Sequence, residues 1–383
     1  MLPQGYRVYP SVYTPQEAAT LRDAITTRAV ELVFTNNEVQ VDPDDPNTLK
    51  LFTDPKLRKE LLADPTMIWR NGNSRDPIIS KSCGMIDIHF DPTVSRMVTF
   101  AERPYEIMTK VYGTPNLVHT QGPERVSIKA QGAVDMPKHI DSNPFYPEVN
   151  FPQRYQAFVV AECPAPEEGS ANKRGGLCLL TNFHHYYDFF GRMFHPHDGP
   201  LDYPMCDSRF FVLPASPKDE SFDARHLPAL EEYAKMYVDY LYNDEIPEAE
   251  ISSFFARIKK EGVVLPRKLP ELKWTPIQTS PGDMVVWDQR LPHYSLANTC
   301  ETPRIVAYCS LFPVTEKWYH SEERKWTTEM FTKGEFYYTA NAGVYPRRVR
   351  NPEEAASMDL DEFRKIVKTS KNGLRLTGER SWF

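Results

Sequence analysis

His139-Ile140-Asp141, answered far downstream by His293 and then Arg304, is the stretch whose reading decides the fold. In a β-strand residues i and i+2 point the same way, so His139 and Asp141 can address one ion while Ile140 faces the other side. Two imidazoles and one carboxylate are the ligand set that non-haem iron(II) takes on one face of its octahedron, with three positions left open. The third ligand has to arrive on another strand, and the segment around His293, which follows a further strand at 283–288, reads as one. A turn later, Arg304 falls on the neighbouring antiparallel strand. Its planar guanidinium can grip a carboxylate with two parallel hydrogen bonds, which lysine cannot do. Ser295 shares the face of His293 and can donate its hydroxyl to the same carboxylate.

Around this set, residues 85–89, 126–134, 155–161, 177–180, 210–213 and 305–312 also read as strands. Ahead of them, Thr14-Pro15-Gln16-Glu17 is a capping box with proline at the first helical position. Ala18, Leu21, Ile25, Ala29 and Leu32 then recur at helical spacing to about Phe34. Asp54-Pro55 opens another short helix, and residues 93–113 hold one or two more, interrupted near Pro104. Helical stripes return at Leu230, Tyr233, Ala234, Tyr237 and Leu241, and again at Ile251, Phe254, Phe255 and Ile258 before Gly262. A last helix is expected over 352–367. One domain over 1–383 is predicted: N-terminal helices in 1–120, a β core in about 121–313 carrying a helical insertion at about 186–280, and a C-terminal extension in 314–383. The class is β-rich α+β.

Composition narrows the functions. The chain has 383 residues, 41% hydrophobic and 25% charged, which is ordinary for a soluble globular protein. A net charge of −7 with no sustained basic stretch argues against a nucleic-acid partner. With 20 Tyr, 21 Phe and 6 Trp, an aromatic-lined pocket or a large core is available for a small-molecule substrate. The six cysteines contain no Cys-x-x-Cys pair, so they read as reduced and mostly buried. No apolar run approaches bilayer-spanning length, and residues 1–7 lack the apolar core of a signal peptide; the expectation is an intracellular, cytoplasmic protein.

Taken together the pieces resemble the phytanoyl-CoA dioxygenase family of Fe(II)/2-oxoglutarate oxygenases. Gly5-Tyr6-Arg7-Val8-Tyr9-Pro10 and the capping box are similar to that family's opening strand and helix. His139-Ile140-Asp141 matches its proximal metal pair, and Gly175-Gly176-Leu177-Cys178-Leu179-Leu180 resembles the glycine-led strand that follows. Pro281-Gly282-Asp283-Met284-Val285-Val286-Trp287 resembles the strand leading to the distal histidine, and His293-Tyr294-Ser295 with Arg304 completes the set. The resemblance implies a double-stranded β-helix, of the jelly-roll or cupin-like kind, flanked by helices. It implies Fe(II) on His139, Asp141 and His293, with 2-oxoglutarate on Ser295 and Arg304. Lys129 or Gln131, on the strand before the metal pair, would assist in binding the cosubstrate. The implied reaction consumes O2 and 2-oxoglutarate, releases succinate and CO2, and hydroxylates a C–H bond of a small-molecule or lipid-like substrate. A carboxylate at position 141, where related halogenases carry a small residue, favours hydroxylation. The long interval between the two metal histidines departs from the family pattern, so its acyl-CoA substrate is not carried over, and the region after Pro313 has no counterpart in it.

Blander readings compete. His-x-Asp recurs at His89-Phe90-Asp91, and short motifs recur by chance. His184-His185 and His195-Pro196-His197-Asp198 read as hydrogen-bonded surface or pocket groups, and Trp287 and Arg290 as rim packing, with an anion-greeting Arg290 as the alternative. The competing functions are an oxygenase acting on a macromolecular side group, and a catalytically silent β-helix kept for binding or assembly.

Overall fold

A computed structural model describes residues 2–36, 84–88, 91–119, 125–136, 138–141, 155–185, 187, 211–212, 273–333, 337–338, 347–348 and 360–383. The helix expected at Asp54-Pro55, the stripes at 230–258, most of the 186–280 insertion and the His195–His197 pair lie outside the described residues.

Among the described residues the strands that build the two main sheets and a two-stranded annex are β1 (Tyr6–Tyr9), β2 (Met85–Asp87), β3 (Leu117–His119), β4 (Arg125–Lys129), β5 (His139–Ile140), β6 (Tyr155–Glu162), β7 (Leu177–Thr181), β8 (Phe211–Val212), β9 (Lys273–Pro276), β10 (Met284–Asp288), β11 (His293–Ser295), β12 (Arg304–Tyr308) and β13 (Leu311–Pro313), with a separate two-stranded ribbon at Tyr337–Tyr338 and Arg347–Arg348. Six form an antiparallel sheet in the order β1-β10-β6-β12-β4-β2, and five form a second one in the order β8-β5-β11-β7-β9. From β4 to β7 the chain alternates between the sheets strand by strand, and it does so again from β9 to β12. The expected strand 305–312 is in fact two. β12 stays in the large sheet, while β13 leaves to pair with β3, which sequence reading missed along with β9.

The large sheet is apolar on one face and mixed on the other, as the two-residue period of a strand requires. Val126 and Ile128 of β4, Ala157, Val159 and Ala161 of β6, Met284 and Val286 of β10, and Ile305 and Ala307 of β12 enter one buried cluster on the outer face. The first helix, α1 (Pro15–Asn36), lays Leu21, Ile25 and Ala29 on that face. It begins with the expected capping box: Thr14 donates its N–H to Glu17 Oε2 (2.8 Å), and Glu17 donates its own to Thr14 Oγ1 (3.2 Å).

The expected interruption near Pro104 lies earlier. A helical turn at Pro92–Val94 runs into a π-helix, Ser95–Thr99, and breaks at Phe100. Pro104 then sits in the first turn of α2 (Glu102–Tyr112), where its missing N–H leaves no bond unmade. Two more helices, α3 (Glu322–Lys333) and α4 (Leu360–Thr369), complete the outer layer. Met330, Phe331, Phe363, Ile366 and Val367 bury into the same cluster as α1, so the C-terminal extension is part of the main core. No helix among the described residues is long and apolar enough to cross a membrane. The four described cysteines, Cys163, Cys178, Cys300 and Cys309, are free thiols.

Candidate metal centre

The inner face of the large sheet meets the smaller sheet, and the site is built there. β11 runs between β5 and β7, and its register sets His293 directly opposite His139. Side chains of directly opposed residues share a face, so the two imidazoles are brought together by backbone pairing alone. Their ring centroids lie 4.3 Å apart, tilted by 51°. Asp141 follows β5 on the same side: its Oδ1 is 3.4 Å from His139 Nε2, and its Oδ2 is 3.4 Å from His293 Nε2. One ligand atom from each of the three lies within 4.8 Å of the others. Neighbouring ligands of an ion held at about 2.1 Å are roughly 3 Å apart, so small side-chain shifts would close the set on a metal.

The protonation pattern suits a metal. Leu291 O lies 2.9 Å from His293 Nδ1, and a carbonyl only accepts, so Nδ1 carries the proton and Nε2 offers its lone pair to the cluster. Burial opposes the charge on Asp141, but His293, His139 and the Gln156 amide outweigh it and hold the carboxyl below its usual range. The turn ahead of His293 is clamped. Buried Asp288 accepts the Arg290 backbone N–H (3.0 Å), its Nε (2.9 Å) and its second guanidinium nitrogen (2.6 Å). Arg290 is thereby engaged as a structural brace, against the anion-greeting alternative.

Arg304 opens β12 on the inner face, nearly buried. Its guanidinium lies 4.8 Å over the Phe158 ring and donates to Ser127 Oγ (3.2 Å). Burial pulls its pKa down, partly offset by Tyr308. Among the described residues no carboxylate forms an ion pair with it. A chain of rings leads from it to the cluster: Phe158 meets Trp287 at 5.4 Å, and Trp287 meets His293 at 5.8 Å.

Lys129 is the register partner of Arg304 on β4, fully buried, and donates to Val134 O (2.5 Å). Gly175 allows this crowding, because a Cβ there would lie 3.1 to 3.2 Å from the Cβ atoms of Lys129, Arg304 and Asn298. Ser295 is buried two residues beyond His293. Gln131 sits past the end of β4 with its amide on Thr299 O (3.4 Å), and no contact brings it to the histidines. Asn298 fixes the turn into β12, donating to Lys129 O (2.7 Å) and Thr302 O (3.0 Å).

The competing motifs are used otherwise. Asp91 of the second His-x-Asp caps a helical turn, its Oδ1 accepting from Val94 N at 2.8 Å. His184 is buried with neither ring nitrogen hydrogen-bonded, contrary to the expected hydrogen-bonded group. Sequence reading missed Gln156, Phe158 and Asn298. The one signal for Gln156 was a polar residue at an inward position of an apolar strand.

Fold and cluster define a class: a β-rich protein of antiparallel sheets with a two-histidine, one-carboxylate centre between them. No family model matches the chain. A stretch of 44 residues is 41% identical to 2-aminoethylphosphonate dioxygenase of an uncultured bacterium (HF130_AEPn_1), covering 12% of this chain and 17% of that relative. Among solved structures, AviO1 from Streptomyces viridochromogenes Tue57 is 15% identical (TM-score 0.37), covering 82% of this chain and 91% of its own. EctD from S. alaskensis, with 2-oxoglutarate and 5-hydroxyectoine, is 16% identical (TM-score 0.36) over 81% and 73%. The epimerase SnoN, in complex with Fe3+, alpha ketoglutarate and nogalamycin RO, is 14% identical (TM-score 0.37) over 82% and 80%. At that degree of likeness the solved structures assign nothing to this chain.

Proposed function

We propose that the chain is an Fe(II)- and 2-oxoglutarate-dependent dioxygenase that hydroxylates a C–H bond of a small molecule. The observation that carries the reading is the meeting of His139, Asp141 and His293 from two paired strands, on an inner face that also holds buried Arg304, with which no carboxylate among the described residues pairs. Fe(II), when bound, would supply the activation of O2 and the oxidative decarboxylation of 2-oxoglutarate to succinate and CO2. The protein's part is positioning. His139, Asp141 and His293 hold the metal by one face, and Arg304 takes the distal carboxylate of the cosubstrate, with Ser295 and Lys129 beside it. Phe158 and Trp287 wall the space between and keep water from it. The alternation of β4–β7 and β9–β12 between two sheets supports a double-stranded β-helix, with the whole chain as one domain. The 2-aminoethylphosphonate dioxygenase relative acts on a small molecule, and the same size class is proposed here.

The test uses the purified 383-residue protein under anaerobic conditions with Fe(II) and 2-oxoglutarate. A metal-to-cosubstrate charge-transfer band should appear, with succinate released once O2 is admitted. His139→Ala and His293→Ala should each abolish both signals. A wild-type protein that forms no such complex would overturn the reading.

A further inference from the structure

Gln156 lies on the inner face of β6, in register with Trp287 of β10, and donates its amide N–H to Asp141 Oδ2. An ionised carboxylate only accepts, so the amide must turn its NH2 toward Asp141 and its carbonyl away. That carbonyl, Oε1, is buried with no hydrogen-bond partner, and so is the indole Nε1 of neighbouring Trp287. Unpartnered buried polar atoms destabilise a fold, and an apolar residue at position 156 would remove one of them. The amide is therefore at odds with packing alone and must be explained by what its NH2 holds.

The carboxylate it holds straddles the cluster, one oxygen 3.4 Å from each histidine nitrogen. Left to itself, so symmetric a carboxylate could chelate an ion through both oxygens and use up four of six positions. We propose that Gln156 is a positioning residue that keeps Asp141 a one-oxygen ligand. Its amide draws on Oδ2, so that the carboxylate turns one oxygen to the metal and three positions stay open for a chelating cosubstrate and O2. The proposal rests on the metal-centre reading above, but it can fail separately.

Co(II) serves as the probe, because its visible spectrum reports coordination number. Gln156→Met keeps the volume and removes the donor; Gln156→Leu is the second variant. Both apo variants should still fold cooperatively and melt within a few degrees of wild type, since the bond lost to Asp141 is set against the unpartnered atom removed. Their Co(II) spectra should differ from wild type, and their affinity for Co(II) or for 2-oxoglutarate on the Co(II) form should fall roughly ten- to hundredfold by calorimetry, the usual effect of losing an outer partner of a metal ligand. Variants that fold and match wild type in both spectrum and affinities overturn the proposal while leaving the metal centre intact. A wild-type protein that takes up no Co(II) overturns the metal-centre reading itself.

Discussion

Arg304 is a buried cation with no carboxylate partner among the described residues, and that sets the strongest single-residue expectation. Its guanidinium is pre-aligned by the Phe158 ring and the Ser127 hydroxyl, so little rotamer freedom is left to lose when a carboxylate arrives. Arg304→Lys keeps the charge but loses the fork. It should weaken 2-oxoglutarate binding by about 2 kcal/mol, or roughly thirtyfold, in calorimetry of the metal-loaded protein. Metal affinity in the same variant should stay at the wild-type level. At this scale the sequence was informative where chemistry restricts residue type: few residues ligate iron, and few grip a carboxylate with two bonds. It was silent where the role comes from placement. Nothing in a glutamine or a phenylalanine marks Gln156 or Phe158 until β6 is seen lying between β10 and β12.

Elements show the same division. The capping box at Thr14 was legible because it is fixed by neighbours in sequence, whereas Pro281-Gly282-Asp283, read only as the lead into a strand, is a turn ahead of β10. Gly282 has φ 93°, and a Cβ on it would sit 2.2 Å from the Tyr13 carbonyl oxygen. Its own carbonyl accepts from Tyr13 N (3.0 Å), tying the entry of α1 to the strand that leads to His293. Gly282→Ala should therefore cost about 2–4 kcal/mol of stability in chemical denaturation, combining a forbidden backbone angle with a backbone clash. β3 and β9 escaped notice because strands of three and four residues carry too few alternations to register. The break between β12 and β13 was hidden for another reason: residues 305–312 are apolar almost throughout, and only the change of pairing partner divides them.

At the scale of the whole molecule, His119 stands where the N-terminal, β and C-terminal parts meet. It is buried against Phe100 (5.6 Å) and Phe331 (6.0 Å), with Nε2 bonded to Thr99 O (2.5 Å). Burial, only partly offset by the carbonyls of Thr99 and Ser310, drops its pKa to about 4. Its folded value lies below the unfolded one near 6.5, so the unfolded chain takes up the proton first. Stability is full above the unfolded value and falls as pH drops through the window, by on the order of 3 kcal/mol by the lower end. Urea titrations at successive pH values should show this slope, and His119→Gln should flatten it. An unchanged slope would move the effect to His184, whose pKa burial also lowers to about 4. The same seam closes with Trp382, which stacks on Tyr105 at 6.0 Å and donates its indole N–H to Leu117 O (2.8 Å). During translation those residues leave the ribosome after every strand has emerged. Phe363, Ile366, Val367 and Leu376 thus join the core cluster only after the strands they pack with have been made. Removing the residues from Leu360 onward would leave His139, Asp141 and His293 in the chain but strip Phe363, Ile366, Val367 and Leu376 from the core cluster, and the shortened protein should be cleared by proteases.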